Sequence, residues 1–425
     1  MHKKISFRCS NRYQINFSYI RISKKFMLRK RILFAWELGA NLGHLARDIP
    51  VAEQLRKLGH DVTFAARDLR VAQEVLAPRG FRFLQAPRPH TAGHRKQPPA
   101  NYSGILLAGG YGDALNLVGS VGGWAALLDV TQTDVVVINH APTAALAARA
   151  LAIPAVITCI GFELPPNVEP LPSFRPWETR SIDELRQADA TVLGNINIVL
   201  QNYSKAPLRR VADLFSELPA ILTTFPELDH YGHRPCARYV GPLSGLSATT
   251  EANWPTDDAK RIFAYLRPTV PGFEHLLAAL QESGACVLCI APGISQEIAH
   301  RFASQKVKIL ARPVALGKAL PDADLAVVYG TGTMADALLA GVPLLMVPQV
   351  IEQVLAARRI EELGAGLLWG APRTAETAKM SLRAALGNDS LIANARAFAQ
   401  KHRDFSPHQA IDEVVSVICE AAAEH

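Results

Sequence analysis

Thr331-Gly332-Thr333-Met334-Ala335-Asp336-Ala337-Leu338-Leu339-Ala340-Gly341-Val342-Pro343, with Pro348-Gln349-Val350-Ile351-Glu352-Gln353 close behind, is the stretch that decides the fold of this 425-residue chain. It follows the apolar run Leu325 to Val328, which reads as a buried strand, and Thr333 to Leu339 reads as a helix. A strand that passes through a glycine loop into a helix leaves the first N–H groups of that helix free to approach a ligand. Together with the positive end of the helix dipole they attract a diphosphate. Thr333 and Asp336, three positions apart, have the form of a capping box that would fix the helix start.

The same alternation extends in both directions. Downstream of Pro255, strands are predicted over Arg261 to Leu266, Ala285 to Ile290, Val307 to Leu310, Leu325 to Val328 and Leu344 to Val347, with helices over Gly272 to Ser283, Thr333 to Leu339 and Gln353 to Leu363. In the first half, the strand Arg31 to Trp36 leads through Gly39 and Gly43 into a helix from about Ala46 to Leu58. Strands Asp61 to Ala65, Thr133 to Ile138 and Ile153 to Ile157 follow, with a helix over Ala144 to Leu151. Strand, helix, strand at this spacing is a parallel crossover unit, and a chain of this length exceeds what one core organises. The expected fold is therefore α/β, with two Rossmann-like, doubly wound domains facing a central cleft.

The expected boundaries are a basic leader over 1–27, a first domain over 28–235, a Gly-, Pro- and Ser-containing linker over 236–258, a second domain over 259–405, and a final apolar-faced helix within 406–425 that crosses back onto the first domain. Pro87 to Gly123 and Gly161 to Ser181 lack clear periodicity and are read as irregular loops around an acceptor pocket.

The formal net charge of +7 is concentrated at the start, where ten cations precede the first acidic residue, Glu37. The remainder carries about −3, which gives no electrostatic footing for a nucleic-acid groove. The leader lacks the apolar core of a secretory signal. It is read as preceding a start at Met27, as a basic arm contacting anionic lipid, or as a targeting extension. With no run of eighteen apolar residues, a cytoplasmic protein without a transmembrane segment is expected, peripheral membrane contact being allowed. Cys286 and Cys289 lie three apart in a strand, point to opposite faces, and cannot share a metal or form a redox pair.

The Gly332 to Gln353 block resembles the donor-binding half of the UDP-glycosyltransferases and bacterial macrolide-type glycosyltransferases, of GT-B fold. The features in common are Gly332-Thr333, Asp336, Gly341-Val342-Pro343, and Pro348 with Glu352-Gln353, with Leu363-Gly364-Ala365-Gly366 closing the following helix. The resemblance implies that Glu352 and Gln353 bind hydroxyls of a transferred sugar, a task that suits a carboxylate and an amide. It implies diphosphate binding by the loop Tyr329, Gly330, Thr331, Gly332 and Thr333, and base contact by the backbone at Val314. Gly39 to Pro50 is similar to the family's Gly-His loop, which would make His44 the base that deprotonates an acceptor hydroxyl.

The chain also departs from the family. Val327-Val328-Tyr329-Gly330-Thr331 has no histidine where the family has one beside the diphosphate, and Tyr265-Leu266-Arg267-Pro268 replaces a Gly-Ser turn. Arg267 is the candidate substitute donor, through its guanidinium fork. Where family members carry an aspartate that orients the histidine, this chain has Asn139-His140, so Asn139 is expected to hold the tautomer of His44, with Asp113 or Asp48 as possible carboxylates.

The expected activity is metal-independent transfer with inversion from a nucleoside diphosphate sugar, uridine-linked by family default, to a small-molecule or lipid acceptor. The sugar nucleotide is a co-substrate, and no further cofactor is expected. A non-catalytic sugar-nucleotide-binding or activator protein and a sugar-nucleotide epimerase are the alternatives. The spacing Gly-x-Gly-x-x-Gly of nicotinamide enzymes occurs in neither loop.

Overall fold

The computed structural model describes residues 28–40, 42–89, 98–243, 253–256, 258–312 and 314–423. The leader, His90 and His94, residues 244–252 and 257 of the expected linker, and Pro313 lie outside them.

Two parallel sheets form the framework. The first contains β1 (Arg31–Trp36), β2 (Asp61–Ala66), β3 (Arg82–Gln85), β4 (Val135–Asn139), β5 (Ala155–Cys159), β6 (Ala220–Leu222) and β7 (Arg238–Tyr239), in the order β3-β2-β1-β4-β5-β6-β7. The second contains β8 (Arg261–Tyr265), β9 (Cys286–Ile290), β10 (Val307–Leu310), β11 (Leu325–Val328), β12 (Leu344–Met346) and β13 (Gly366–Leu368), in the order β10-β9-β8-β11-β12-β13. Both are doubly wound, with strand order reversing between β1 and β4 and between β8 and β11. Such reversal points leave a crevice at the carboxyl ends of the strands where ligands bind.

Alternation along each strand divides its side chains between two cores. Ile32, Phe34 and Trp36 pack on one face of the first sheet and Leu33 and Ala35 on the other. The helix Pro407–Ala423 completes the first of these faces, with Val414, Val417 and Ile418 joining Phe34 and Val137. In the second sheet Phe263 and Val328 face one core, and Ile262, Cys289 and Val327 the other.

The structure differs from the sequence reading in three places that shape the cleft. Pro87 to Gly123 is not simply loop. It contains the helix Tyr102–Leu106, a wide turn through Leu107–Tyr111, and most of the helix Ala114–Val130. Glycine content argues against helix in an exposed segment, but here Leu117, Val121 and Trp124 are buried, and Gly123 lets Pro87 approach closely. Arg238–Tyr239 pairs with β6, so the first sheet runs into the segment read as linker. The helix after the second glycine loop spans Thr331–Leu339 and is capped by no side chain. Thr333 is therefore inside the helix rather than at its cap, and Thr333 and Asp336 form no capping box.

Candidate active site in the cleft

At the first reversal point, Trp36 at the end of β1 pairs with Asn139 at the end of β4. The chain leaves β1, turns at Gly39 with φ of +82°, and enters the helix Gly43–Lys57. This helix starts earlier than its sequence suggests, because Leu42 offers no side-chain cap to mark it. His44 consequently lies in the first turn, opposite Asn139.

Asn139 is bonded on both sides of its amide. Its Nδ2 donates to Asp48 Oδ2 at 2.8 Å and to the His44 carbonyl at 3.1 Å. Its Oδ1 accepts from His44 Nδ1 at 2.8 Å and from the Arg47 guanidinium. A flipped amide would set NH2 against the guanidinium and oxygen against oxygen, so the orientation is determined by four partners. Because Oδ1 can only accept, Nδ1 of His44 carries the proton and Nε2 keeps its lone pair.

Nε2 lies over Gly39, where any Cβ would collide with it, and the imidazole stacks on Trp36 with centroids 5.5 Å apart. Burial, and then the neighbouring Arg47, hold the His44 pKa below its ordinary value, favouring the neutral ring. Burial raises Asp48 to about 7, against the pull of Arg47 and Asn139. Asp113 instead caps the helix Ala114–Val130, accepting from Asn116 N at 2.7 Å. Asp48 is thus the carboxylate behind Asn139.

Two groups that the sequence did not single out complete this cluster. Arg47 pairs with Glu163 at 3.4 Å, and Glu163 accepts from Ile160 N at 3.0 Å. Burial alone would raise Glu163, but Arg47, His140 and His44 outweigh it and hold the carboxyl below its ordinary value. Glu163 comes from the irregular segment after β5, where no periodicity marks it. His140 is buried beside His44 with ring centroids 5.9 Å apart, and burial lowers its pKa to about 3.

The second reversal point holds the other group of expected residues. Tyr265 pairs with Val328, which brings the segments after β8 and β11 together, and Arg267 hydrogen-bonds to the Tyr329 side chain. Gly330 precedes the helix Thr331–Leu339, and no atom lies within 4 Å of a Cβ built at Gly330 or Gly332. The fold itself therefore does not require glycine at either position. Thr331 and Gly332 line a recess with Ile160, Thr223 and His230 of the first domain and Met334 of the second. Val314 is buried in the second core, with its side chain away from solvent.

The helix Ile351–Glu362 begins earlier than read, placing Glu352 and Gln353 in its first turn. Gln353 is buried, and its Oε1 accepts from Gln349 N at 2.8 Å, so part of its amide secures the preceding turn. Glu352 is open to the cleft on one side and reaches His230 of the first domain, with Oε1 to Nε2 at 3.7 Å. Among the described residues, no three His, Cys, Asp or Glu side chains are grouped to hold a metal ion, and no helix is long and apolar enough to cross a membrane.

Residues 284–419 match the model of the erythromycin biosynthesis protein CIII-like C-terminal domain. The chain is 27% identical over 360 residues to zeaxanthin glucosyltransferase of Pantoea ananas, covering 74% of this chain and 79% of the relative. The calicheamicin glycosyltransferase CalG4 is similar in structure with a TM-score of 0.69 at 20% identity, covering 92% of this chain and 98% of that one. The glycosyltransferase VinC in complex with DTDP gives 0.65 at 17% identity, covering 93% and 100%.

Proposed function

We propose that this chain, which has the GT-B fold of the macrolide-type glycosyltransferases, transfers a sugar from a nucleoside diphosphate donor to an acceptor hydroxyl with His44 as general base. The observation that carries the reading is the tautomer of His44. Asn139 Oδ1 accepts a hydrogen bond from Nδ1–H, so the Nε2 lone pair is free to remove a proton from an acceptor. The resulting oxygen attacks the anomeric carbon on the face opposite the diphosphate, and the configuration inverts.

The leaving diphosphate is received at the start of the helix Thr331–Leu339. There, first-turn N–H groups without a side-chain cap and the Arg267–Tyr329 pair offset its growing charge without a metal. Glu352 and Gln353 bind the sugar hydroxyls, Gln353 through its Nε2. Uridine is the default base for the wider family. Thymidine is the second candidate, because VinC was solved with DTDP.

The acceptor is a hydroxyl-bearing molecule with a large apolar body. Trp36 stacks on His44 and Phe162 lies edge-on to His140, which gives the histidine pair an apolar setting, and the P. ananas relative is named zeaxanthin glucosyltransferase.

The deciding experiment is a calorimetric screen of UDP- and dTDP-sugars, followed by donor hydrolysis and transfer assays with a panel of hydroxylated apolar acceptors. Binding without turnover by the wild-type protein would favour a non-catalytic sugar-nucleotide-binding role. Turnover that survives in His44→Ala would remove His44 as base.

A further inference from the structure

Glu352 does not stand on the second domain alone. The helix Ile351–Glu362 that carries it is shared between the two cores. Ile351 and Leu355 pack into the first domain, while Ala356, Ala357 and Ile360 pack into the second. Farther along, Arg358 lies over the ring of Trp177 from the first domain, 3.8 Å from its centroid.

His230, the residue facing Glu352, sits on a braced loop. Asp229 is fully buried and accepts from Arg234 at 2.9 Å, Tyr239 Oη at 2.7 Å and Tyr231 N at 3.1 Å. Arg234 in turn donates to the carbonyls of Leu164 at 2.7 Å and Gly161 at 3.1 Å. A side chain on such a loop is held in place before any ligand arrives.

The His230 ring has its own directional constraint. Nδ1 lies 3.2 Å from the Ile160 carbonyl, which can only accept, so Nδ1 carries a proton. Nε2 is buried, has no hydrogen-bond partner, and points toward Glu352 Oε1. A buried imidazole nitrogen without a partner is costly unless something completes its bonding. The available group is a carboxylate whose other side opens to the cleft, since 23% of the Glu352 side chain is exposed.

We propose that His230 is a positioning residue for sugar recognition, contributed by the first domain: with both ring nitrogens protonated, Nδ1–H on the Ile160 carbonyl and Nε2–H facing Glu352, the imidazolium pairs with one carboxylate oxygen and thereby turns the other toward the sugar hydroxyls of the donor. This rests on the reading of Glu352 as a sugar ligand. Its consequence is that the sugar is recognised fully only when the first domain is seated against the second.

The test uses the full chain and calorimetry with two matched pairs of probes, UDP-glucose with UDP and dTDP-glucose with dTDP. For whichever pair binds, His230→Ala is expected to weaken the sugar nucleotide about tenfold more than the bare diphosphate. His230→Gln, which can offer an N–H in place of Nε2, should recover most of the loss. Glu352→Gln should show the same sugar-specific loss, and the double variant should be no worse than either single one, as expected for residues acting as a unit.

Equal weakening of sugar nucleotide and bare diphosphate would overturn the proposal, because His230 would then act on the nucleotide or on folding. Unchanged affinity for both in His230→Ala would overturn it as well. Failure of the wild-type chain to bind either pair would instead remove the donor-site reading and the proposal with it.

Discussion

His44 and Asn139 are joined by a 2.8 Å hydrogen bond from Nδ1 to Oδ1, and the same amide donates on its other side to Asp48 at 2.8 Å. An amide thus stands between a histidine and a carboxylate, transmitting orientation without placing a negative charge on the ring. Asn139→Ala removes the partner that selects the tautomer and is expected to lower kcat roughly a hundredfold, against roughly a thousandfold or more for His44→Ala. Steady-state transfer rates for the two variants check this, and equal activity of Asn139→Ala and wild type would show that the amide has no part in catalysis.

The pH profile should carry the mark of the same arrangement. A general base works deprotonated, so kcat/KM rises with pH through the His44 pKa, and burial places that limb below the ordinary histidine value. Asn139→Asp puts a carboxylate against Nδ1, favours the imidazolium and should move the limb to higher pH. A limb that stays in place would mean that another group titrates.

Glu37 offers a test on stability. Its carboxyl is fully buried, accepts from Thr143 N at 2.9 Å, and is raised by burial to about 7. The folded chain keeps a proton here that the unfolded chain releases at the ordinary carboxylate pKa of about 4. The stabilising effect of this proton is complete below about pH 4 and is lost as pH rises toward 7. Glu37→Gln cannot lose a proton, so its stability relative to wild type should improve from pH 4 to pH 8, by at most about 1.4 kcal/mol per pH unit. Denaturant unfolding across that range gives the difference directly.

Gly332 separates ligand binding from folding. A Cβ added there meets no atom within 4 Å outside its own helix turn, and the position is helical. Gly332→Ala should leave stability unchanged or raise it by up to about 1 kcal/mol, since glycine is a poor helix former. Gly332→Val should fold as well, yet weaken nucleoside diphosphate binding about tenfold or more by blocking approach to the N–H groups. Thermal unfolding and calorimetry on the same samples distinguish the two effects.

Arg267→Ala should lower nucleoside diphosphate affinity about tenfold, the cost of a charge-assisted contact. Tyr329→Phe, which removes the hydroxyl that Arg267 engages, should give a smaller loss in the same direction. Unchanged affinity in Arg267→Ala would show that the arginine does not replace the family's missing histidine.

Strands β1, β2, β4, β5 and β8 to β12 and the block from Gly332 to Gln353 were readable because they are local, whereas the short strands β3, β6, β7 and β13 were not. Apolar runs of four to six residues fall at regular intervals, and glycine punctuates the turns that feed the helices. The early start of the helices at Gly43, Thr331 and Ile351 was not readable, because none of these ends carries a side-chain cap. The helix Ala114–Val130 was missed for a related reason, its glycines being acceptable only because the segment is buried against neighbouring helices.

By itself, the sequence determined two doubly wound α/β halves, a glycine loop before a helix in the second, and His44 after the first strand, all set by residue periodicity and short spacing. Only the tertiary structure decided which carboxylate stands behind Asn139, that Arg47 and Glu163 flank it, and that His230 faces Glu352 across the cleft. Those contacts join residues about a hundred positions apart, and their distances depend on how the strands align at each reversal point and how the two domains pack together.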